Sequence, residues 1–251
     1  MSNTKFIAGP CVIESYELLD EVARTIVGIN HELGIDIVFK ASFDKANRTS
    51  LSSYRGVGME RGLQMLADIS SKYGLRTLTD IHEAWQAAPV AEVVDIVQIP
   101  AFLCRQTDLI VAAARSGKIL NIKKAQFLSG EDMRHPYNKA MESGATDVWL
   151  TERGNMYGYN NLVVDFRNIA DMRRIAPTVV MDCTHSVQRP GGGAGVTAGN
   201  SEYIPAMALA AKAFGANGYF FEVHPEPQRA LCDGSNMLQL SELQRTISKL
   251  L

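Results

Sequence analysis

Eight short β-rich runs, each followed by a longer stretch with helical periodicity, limit what this chain can fold into. The runs fall at 5–8, 36–40, 76–80, 95–99, 119–123, 147–151, 178–182 and 218–222. The helical stretches fall at 18–33, 59–73, 85–93, 107–116, 131–142, 164–174, 203–214 and 241–250. Short runs rich in Val, Ile, Phe and Thr suit strands buried on both faces, whereas apolar residues at i, i+3, i+4 and i+7 mark one face of a helix. The run starts recur at roughly 20–40 residues, the repeat of a β/α unit. Eight such units in 251 residues match the size of a closed (β/α)8 TIM barrel. A doubly wound open sheet usually has fewer strands in a chain this long. No linker, low-complexity tract or repeated motif divides the sequence, so residues 1–251 are predicted to form one α/β barrel domain.

Function in a barrel of this kind sits at the carboxyl ends of the strands. Those ends carry Cys11, Lys40 with Lys45, Asp80 with His82, Gln98, Lys123 with Lys124, Glu152 with Arg153, Asp182 with His185, and Glu222 with His224. The densest stretch is FKASFDKANRTS at 39–50, where Lys40, Lys45 and Arg48 stand beside Asn47, Thr49 and Ser50. Lysine offers a point charge and arginine a planar fork that grips phosphate through two bonds, while hydroxyls fill the remaining oxygen positions. Read alone, a charge run of this kind is usually a solvated basic loop, but seven other strands end in polar residues too. Lys40, Lys45, Lys123 and Arg153 bring four cations to one mouth, which implies a polyanionic substrate.

Composition narrows the partners. A net charge of -2 gives no broad basic face for nucleic acid. No apolar run approaches the roughly 20 residues that span a bilayer. The opening MSNTKFIAGP lacks the charged-then-apolar pattern of an export signal, so a cytoplasmic protein is expected. The glycine-rich stretch within 189–202 lacks a GxGxxG spacing and is expected to be a mobile active-site loop rather than a dinucleotide site.

The four cysteines, Cys11, Cys104, Cys183 and Cys232, form no Cys-x-x-Cys pair and are expected to stay free. Cys11, His185, Glu222 and Asp233 together offer a thiolate, an imidazole and two carboxylates, a set that suits Zn, Fe or Mn as a divalent ion. Far apart in sequence, they converge only if the first, seventh and eighth strands become neighbours through barrel closure. Without a metal, Glu222 and Asp233 would face each other with no cation between them and repel. Cys11 as a merely packed apolar residue is the competing reading.

The segments GPCVIES (9–15), FKASFDKANRTS (39–50), TDIHE (79–83), QIPAFLCRQTDL (98–109), NIKKAQFL (121–128), LTERG (150–154), YNNLVVDFR (159–167), DCTHSVQ (182–188) and EVHPEP (222–227) closely resemble 3-deoxy-D-manno-octulosonate 8-phosphate synthases. The resemblance runs from about residue 6 to 240 and implies a homotetrameric barrel enzyme. Such an enzyme condenses phosphoenolpyruvate with D-arabinose 5-phosphate and releases inorganic phosphate, a step toward the sugar acid of lipopolysaccharide.

By the same resemblance Lys40, Ser42 and Lys45 hold the phosphoenolpyruvate carboxylate, while Lys123, Arg153 and the backbone near Ala101 hold its phosphate. Asn47, Arg48 and Thr49 receive the sugar phosphate, Arg105 reaches into a neighbouring subunit's site, and Asp80 and Gln98 line the reacting centre. Lys45, Asp80, Lys123 and His185 are the implied catalytic groups, and Cys11, His185, Glu222 and Asp233 the implied metal ligands. Cysteine rather than asparagine at Cys11 implies the metal-dependent group. Thr49 stands where many members carry serine, which keeps the hydroxyl.

The nearest alternative is a 3-deoxy-D-arabino-heptulosonate 7-phosphate synthase, which takes erythrose 4-phosphate. That family reads Lys-Pro-Arg-Thr-Ser where this chain reads Lys45-Ala46-Asn47-Arg48-Thr49-Ser50. A non-catalytic phospho-sugar-binding barrel is the other alternative, and the intact strand-end set argues against it.

Overall fold

A closed ring of eight parallel strands runs through the structure, a computed structural model that describes residues 4–193 and 196–251. The strands are β1 (Lys5–Gly9), β2 (Ile37–Lys40), β3 (Thr77–Asp80), β4 (Ile96–Ile99), β5 (Ile119–Lys123), β6 (Val148–Glu152), β7 (Thr178–Asp182) and β8 (Gly218–His224). Each pairs with its neighbour, and the ring closes where β1 runs parallel to β8 from Lys5↔Gly218 to Gly9↔Glu222. This is the predicted (β/α)8 barrel, and closure makes neighbours of β7, β8 and β1.

Helices cover the outside. The longest, α1 (Tyr16–Leu33), starts where Ser15 Oγ accepts a hydrogen bond from Leu18 N at 3.2 Å, and ends at Gly34 in the left-handed conformation, φ 64°. Between those caps Leu19, Val22, Ala23, Ile26 and Ile29 form the stripe that packs on the barrel. Several predicted helices begin differently, two of them for reasons visible in the side chains. The stretch at 85–93 splits into a 3-10 turn (Ala84–Gln86) and a short α-helix (Ala87–Ala91), because Gln86 Oε1 turns back to accept from His82 N and Glu83 N. The stretch at 131–142 opens with a 3-10 turn (Glu131–Met133) before the helix Arg134–Glu142, whose early Pro136 lacks a donor that the first turn does not need.

The two-residue side-chain period of a strand explains where the site comes from. Ile7, Val38, Leu78, Ile96, Trp149, Val180 and Phe220, with Ile119 against them, fill the barrel interior as a cluster of their own. Stepping two or four residues further along the same strands reaches Lys40, Asp80, Gln98, Lys123, Asp182 and Glu222 at the upper mouth, and Arg153 just past β6. The residues that plug the barrel therefore fix which side chains rise above the plug. Opposite-parity neighbours point outward: Lys124 and Glu152 are both fully buried behind the sheet, their charged groups 3.4 Å apart. Gly9 sits in the inward row of β1, where a Cβ would overlap the Lys40 carbonyl.

Beyond β8, a two-residue strand (Leu238–Gln239) pairs in parallel with Val223 and His224, drawing the preceding segment back over the mouth. The glycine-rich stretch forms an antiparallel ribbon, Gln188–Gly193 against Val196–Gly199, whose residues Gln188, Pro190 and Gly191 border the mouth. Residues 194 and 195 of that stretch lie outside the described residues. No helix among the described residues is long and apolar enough to cross a membrane.

Candidate active site

The mouth opens into a cavity of about 530 Å³, and the Phe220 ring lies beneath two of the lysines that line it. Two lysines stand on that ring, Lys123 Nζ at 4.0 Å and Lys40 Nζ at 5.5 Å from its centre, where the negative π face attracts a cation. Lys123 Nζ donates to Asp182 Oδ2 at 2.6 Å, and Lys40 Nζ to Glu222 Oε1 at 2.9 Å and to the Cys11 carbonyl at 3.0 Å. Burial pushes the Lys123 ammonium below its ordinary range, with Asp182 opposing the shift. Burial pulls Lys45 the same way, but Cys11 and Glu222 outweigh it and raise this lysine well above its ordinary value.

Arg153 is the clearest sign of what the cavity receives. Its Nη2 donates to Gln188 Oε1 at 2.7 Å, yet its Nη1 is buried and has no partner among the described residues. Leaving a buried charged donor unpaired costs about 1–3 kcal/mol or more, a cost that an incoming anion would remove.

The carboxylates stay ionised. Burial raises all three, but His185, Lys40 and Lys45 outweigh it at Glu222, His82 and Lys45 at Asp80, and His185 and Lys123 at Asp182. Each is held well below the usual carboxylate range. These cations correct one expectation from the sequence: Lys45 Nζ lies 3.6 Å from Glu222 and Arg48 Nη1 3.9 Å from Asp233, so the carboxylates are screened by the protein itself.

The stretch after β2 is pinned in place. Lys45 N donates to the Arg55 carbonyl at 2.7 Å, the Arg55 guanidinium clasps Asp44 at 2.8 and 2.5 Å, and Tyr54 Oη reaches the Ile13 carbonyl at 3.0 Å. The loop so closed presents Asn47, Arg48 and Thr49 to the cavity, opposite Gln98, Ala101 and Arg153.

Two overlapping groups can hold a metal ion, His185–Glu222–Asp233 and Cys11–Cys232–Asp233, with ligand atoms within 4.8 Å of one another in each. His185 Nδ1 lies 2.8 Å from Asp182 Oδ2, which turns Nε2 toward Glu222 Oε2 at 3.4 Å. A carboxylate behind a histidine is the usual arrangement that orients a metal-binding imidazole. Burial and the Cys232 contact raise the Cys11 thiol well above its ordinary value, so binding a cation there expels a proton. The donor set therefore fits a borderline divalent ion. Asp233 occupies the left-handed region at φ 51°, strain that places its carboxylate between the two groups.

Most residues singled out in the sequence border the cavity. Three do not. Cys11 is buried beneath it, and Ser42 is buried with its hydroxyl donating to Asp80 Oδ1, so it braces that carboxylate. Arg105 is exposed outside the cavity of its own chain, where its carbonyl accepts from Lys139 Nζ at 3.2 Å. Sequence reasoning missed Cys232, whose Sγ is 3.0 Å from Cys11 Sγ, together with Gln126 and Gln188 in the lining. No spacing rule signals Cys232; its adjacency to Asp233 was the one available cue.

A family model described as the DAHP synthetase I family matches residues 2–250. The chain belongs to that family. Among its relatives, a protein of Desulfatibacillum aliphaticivorans named 2-dehydro-3-deoxyphosphooctonate aldolase is 52% identical over 98% of this chain and 90% of its own length. Proteins with the same name from Helicobacter hepaticus and Campylobacter jejuni are 50% and 49% identical, over 97% and 100% of this chain and 94% and 96% of theirs. The chain thus spans nearly the whole of these family members.

Proposed function

We propose that this family member condenses phosphoenolpyruvate with D-arabinose 5-phosphate and water, giving 3-deoxy-D-manno-octulosonate 8-phosphate and inorganic phosphate. The observation that carries the reading is Arg153 Nη1, buried with no partner among the described residues, in a mouth that also holds Lys123 and a second polar cluster at Asn47, Arg48 and Thr49. Two anion sites in one cavity suit two phosphorylated substrates. The names of the relatives support the same chemistry.

Carbon 3 of the enolpyruvate forms a bond to the aldehyde carbon while water adds at carbon 2. The aldehyde oxygen gains a proton, the water loses one, and collapse of the resulting centre expels phosphate. Arg153 and Lys123 hold the phosphate that leaves, helped by backbone near Ala101, while Lys40 and Lys45 face the carboxylate. Lys45 Nζ stands 3.6 Å from Glu222 Oε1, which keeps its ammonium at the edge of the implied metal site. Asp80, braced by Ser42 and by His82 Nε2 at 3.1 Å, stays ionised and offsets positive charge developing on carbon 2. Gln98 borders the same reacting centre. Fixing both phosphates sets the reacting carbons in a near-attack arrangement. Cys11, His185, Glu222 and Asp233 would hold a divalent ion, Zn, Fe or Mn, that supplies Lewis acidity toward the aldehyde oxygen or the water.

Asn47 separates the acceptors, since it is the amide that the erythrose 4-phosphate pattern lacks. Asn47→Ala is expected to lower kcat with arabinose 5-phosphate by about 5- to 150-fold, the equivalent of about 1–3 kcal/mol for an unpaired polar partner. Steady-state kinetics with this sugar checks the assignment, and unchanged turnover and sugar affinity would remove it.

The same reading includes a homotetramer in which Arg105 completes a neighbour's sugar-phosphate site, supported by its exposure outside its own cavity. Arg105→Ala subunits mixed with Lys123→Ala subunits are then expected to recover activity, because some mixed sites contain both groups. Verified subunit exchange without any recovery would count against a shared site.

A further inference from the structure

We propose that Cys232 is a second thiolate ligand of the metal, making the centre a two-sulfur site. The inference rests on the metal-site reading above and extends it to a residue that the four-ligand set omits. Cys11 Sγ and Cys232 Sγ lie 3.0 Å apart, and Asp233 Oδ2 is 3.3 Å from each. These three side chains already form a compact donor group before any ion is considered. Both sulfurs are buried, at 0% and 2% exposure, so they meet few competing water molecules.

An ion held by Cys11 and Asp233 would have Cys232 beside both of its ligands. Asp233 belongs to both candidate groups, so one carboxylate links the two thiols to His185 and Glu222. Each thiol that coordinates releases its proton to solvent and keeps its electron pair for the bond. A site with two thiolates, an imidazole and carboxylates is softer than one with a single thiolate, and favours Zn²⁺ over the harder Mn²⁺.

Arg48 ties the inference to the substrate. Its Nη1 donates to Cys232 Sγ at 2.9 Å, so the candidate ligand is in contact with a guanidinium that borders the cavity.

X-ray absorption at the zinc edge of the zinc-loaded, substrate-free protein tests the ligand count directly. Two sulfur scatterers at about 2.3 Å are expected in the wild type, and one in Cys232→Ser at unchanged zinc stoichiometry. In the cobalt-loaded protein, the sulfur-to-cobalt absorption band should fall by about half in the same variant. One sulfur in the wild type, or two retained in Cys232→Ser, would overturn the inference while leaving the four-ligand site intact. A wild-type protein that takes up no ion would overturn both. The wild-type count stands alone if the variant fails to fold, and neither spectrum depends on turnover.

Discussion

Chelating the bound metal is expected to abolish turnover, and adding Zn²⁺, Fe²⁺ or Mn²⁺ to restore it. The donors converge on the side of the mouth where β7, β8 and β1 meet, beside the lysines that would hold the enolpyruvate. Lys40, Lys45 and Arg48 already neutralise the carboxylates there, so metal loss should leave the fold intact and remove the reaction selectively. Cys11→Ala is expected to weaken metal binding by about 100-fold or more, since even residues that only orient ligands contribute 10- to 100-fold. Cys11→Asn should be milder, because an amide can still hydrogen-bond where the thiol was. Elemental analysis alongside activity checks both variants. Full activity in protein shown to be metal-free would overturn the assignment of Cys11, His185, Glu222 and Asp233 together.

Replacing Lys123 with methionine is expected to lower kcat/KM for phosphoenolpyruvate by about 10²- to 10³-fold, the usual effect of removing one charge-stabilising donor. Methionine keeps the bulk over Phe220 but removes the cation from the phosphate side of the cavity. It also removes the 2.6 Å hydrogen bond that Lys123 Nζ donates to Asp182. A loss confined to stability, with unimpaired kcat/KM in the folded fraction, would show that Lys123 only balances Asp182.

How legible the site was in the sequence depended on strand parity. Lys40, Asp80, Lys123 and Glu222 could be read as mouth residues because they end apolar runs, and the two-residue period then points them inward with Val38, Leu78 and Phe220. The same reasoning did not separate Lys123 from Lys124, or Arg153 from Glu152, until the register was known. Lys124 proved to be a buried structural cation whose Nζ donates to the carbonyls of Ala125 and Leu128 at 3.2 and 3.0 Å. Cys232 was invisible for another reason: it lies beyond the last barrel strand, and only the return of the chain along β8 brings it to Cys11. The screening of Glu222 was likewise hidden, since no sequence pattern tells that Lys40 and Lys45 turn toward it rather than toward solvent.

Phosphate release by the metal-loaded protein, measured with phosphoenolpyruvate and either D-arabinose 5-phosphate or erythrose 4-phosphate, tests the proposed reaction most directly. One phosphate per phosphoenolpyruvate consumed is expected with the five-carbon sugar, together with an eight-carbon phosphorylated keto acid seen by mass spectrometry. Release that is as fast or faster with erythrose 4-phosphate, or absent with both sugars, would contradict it.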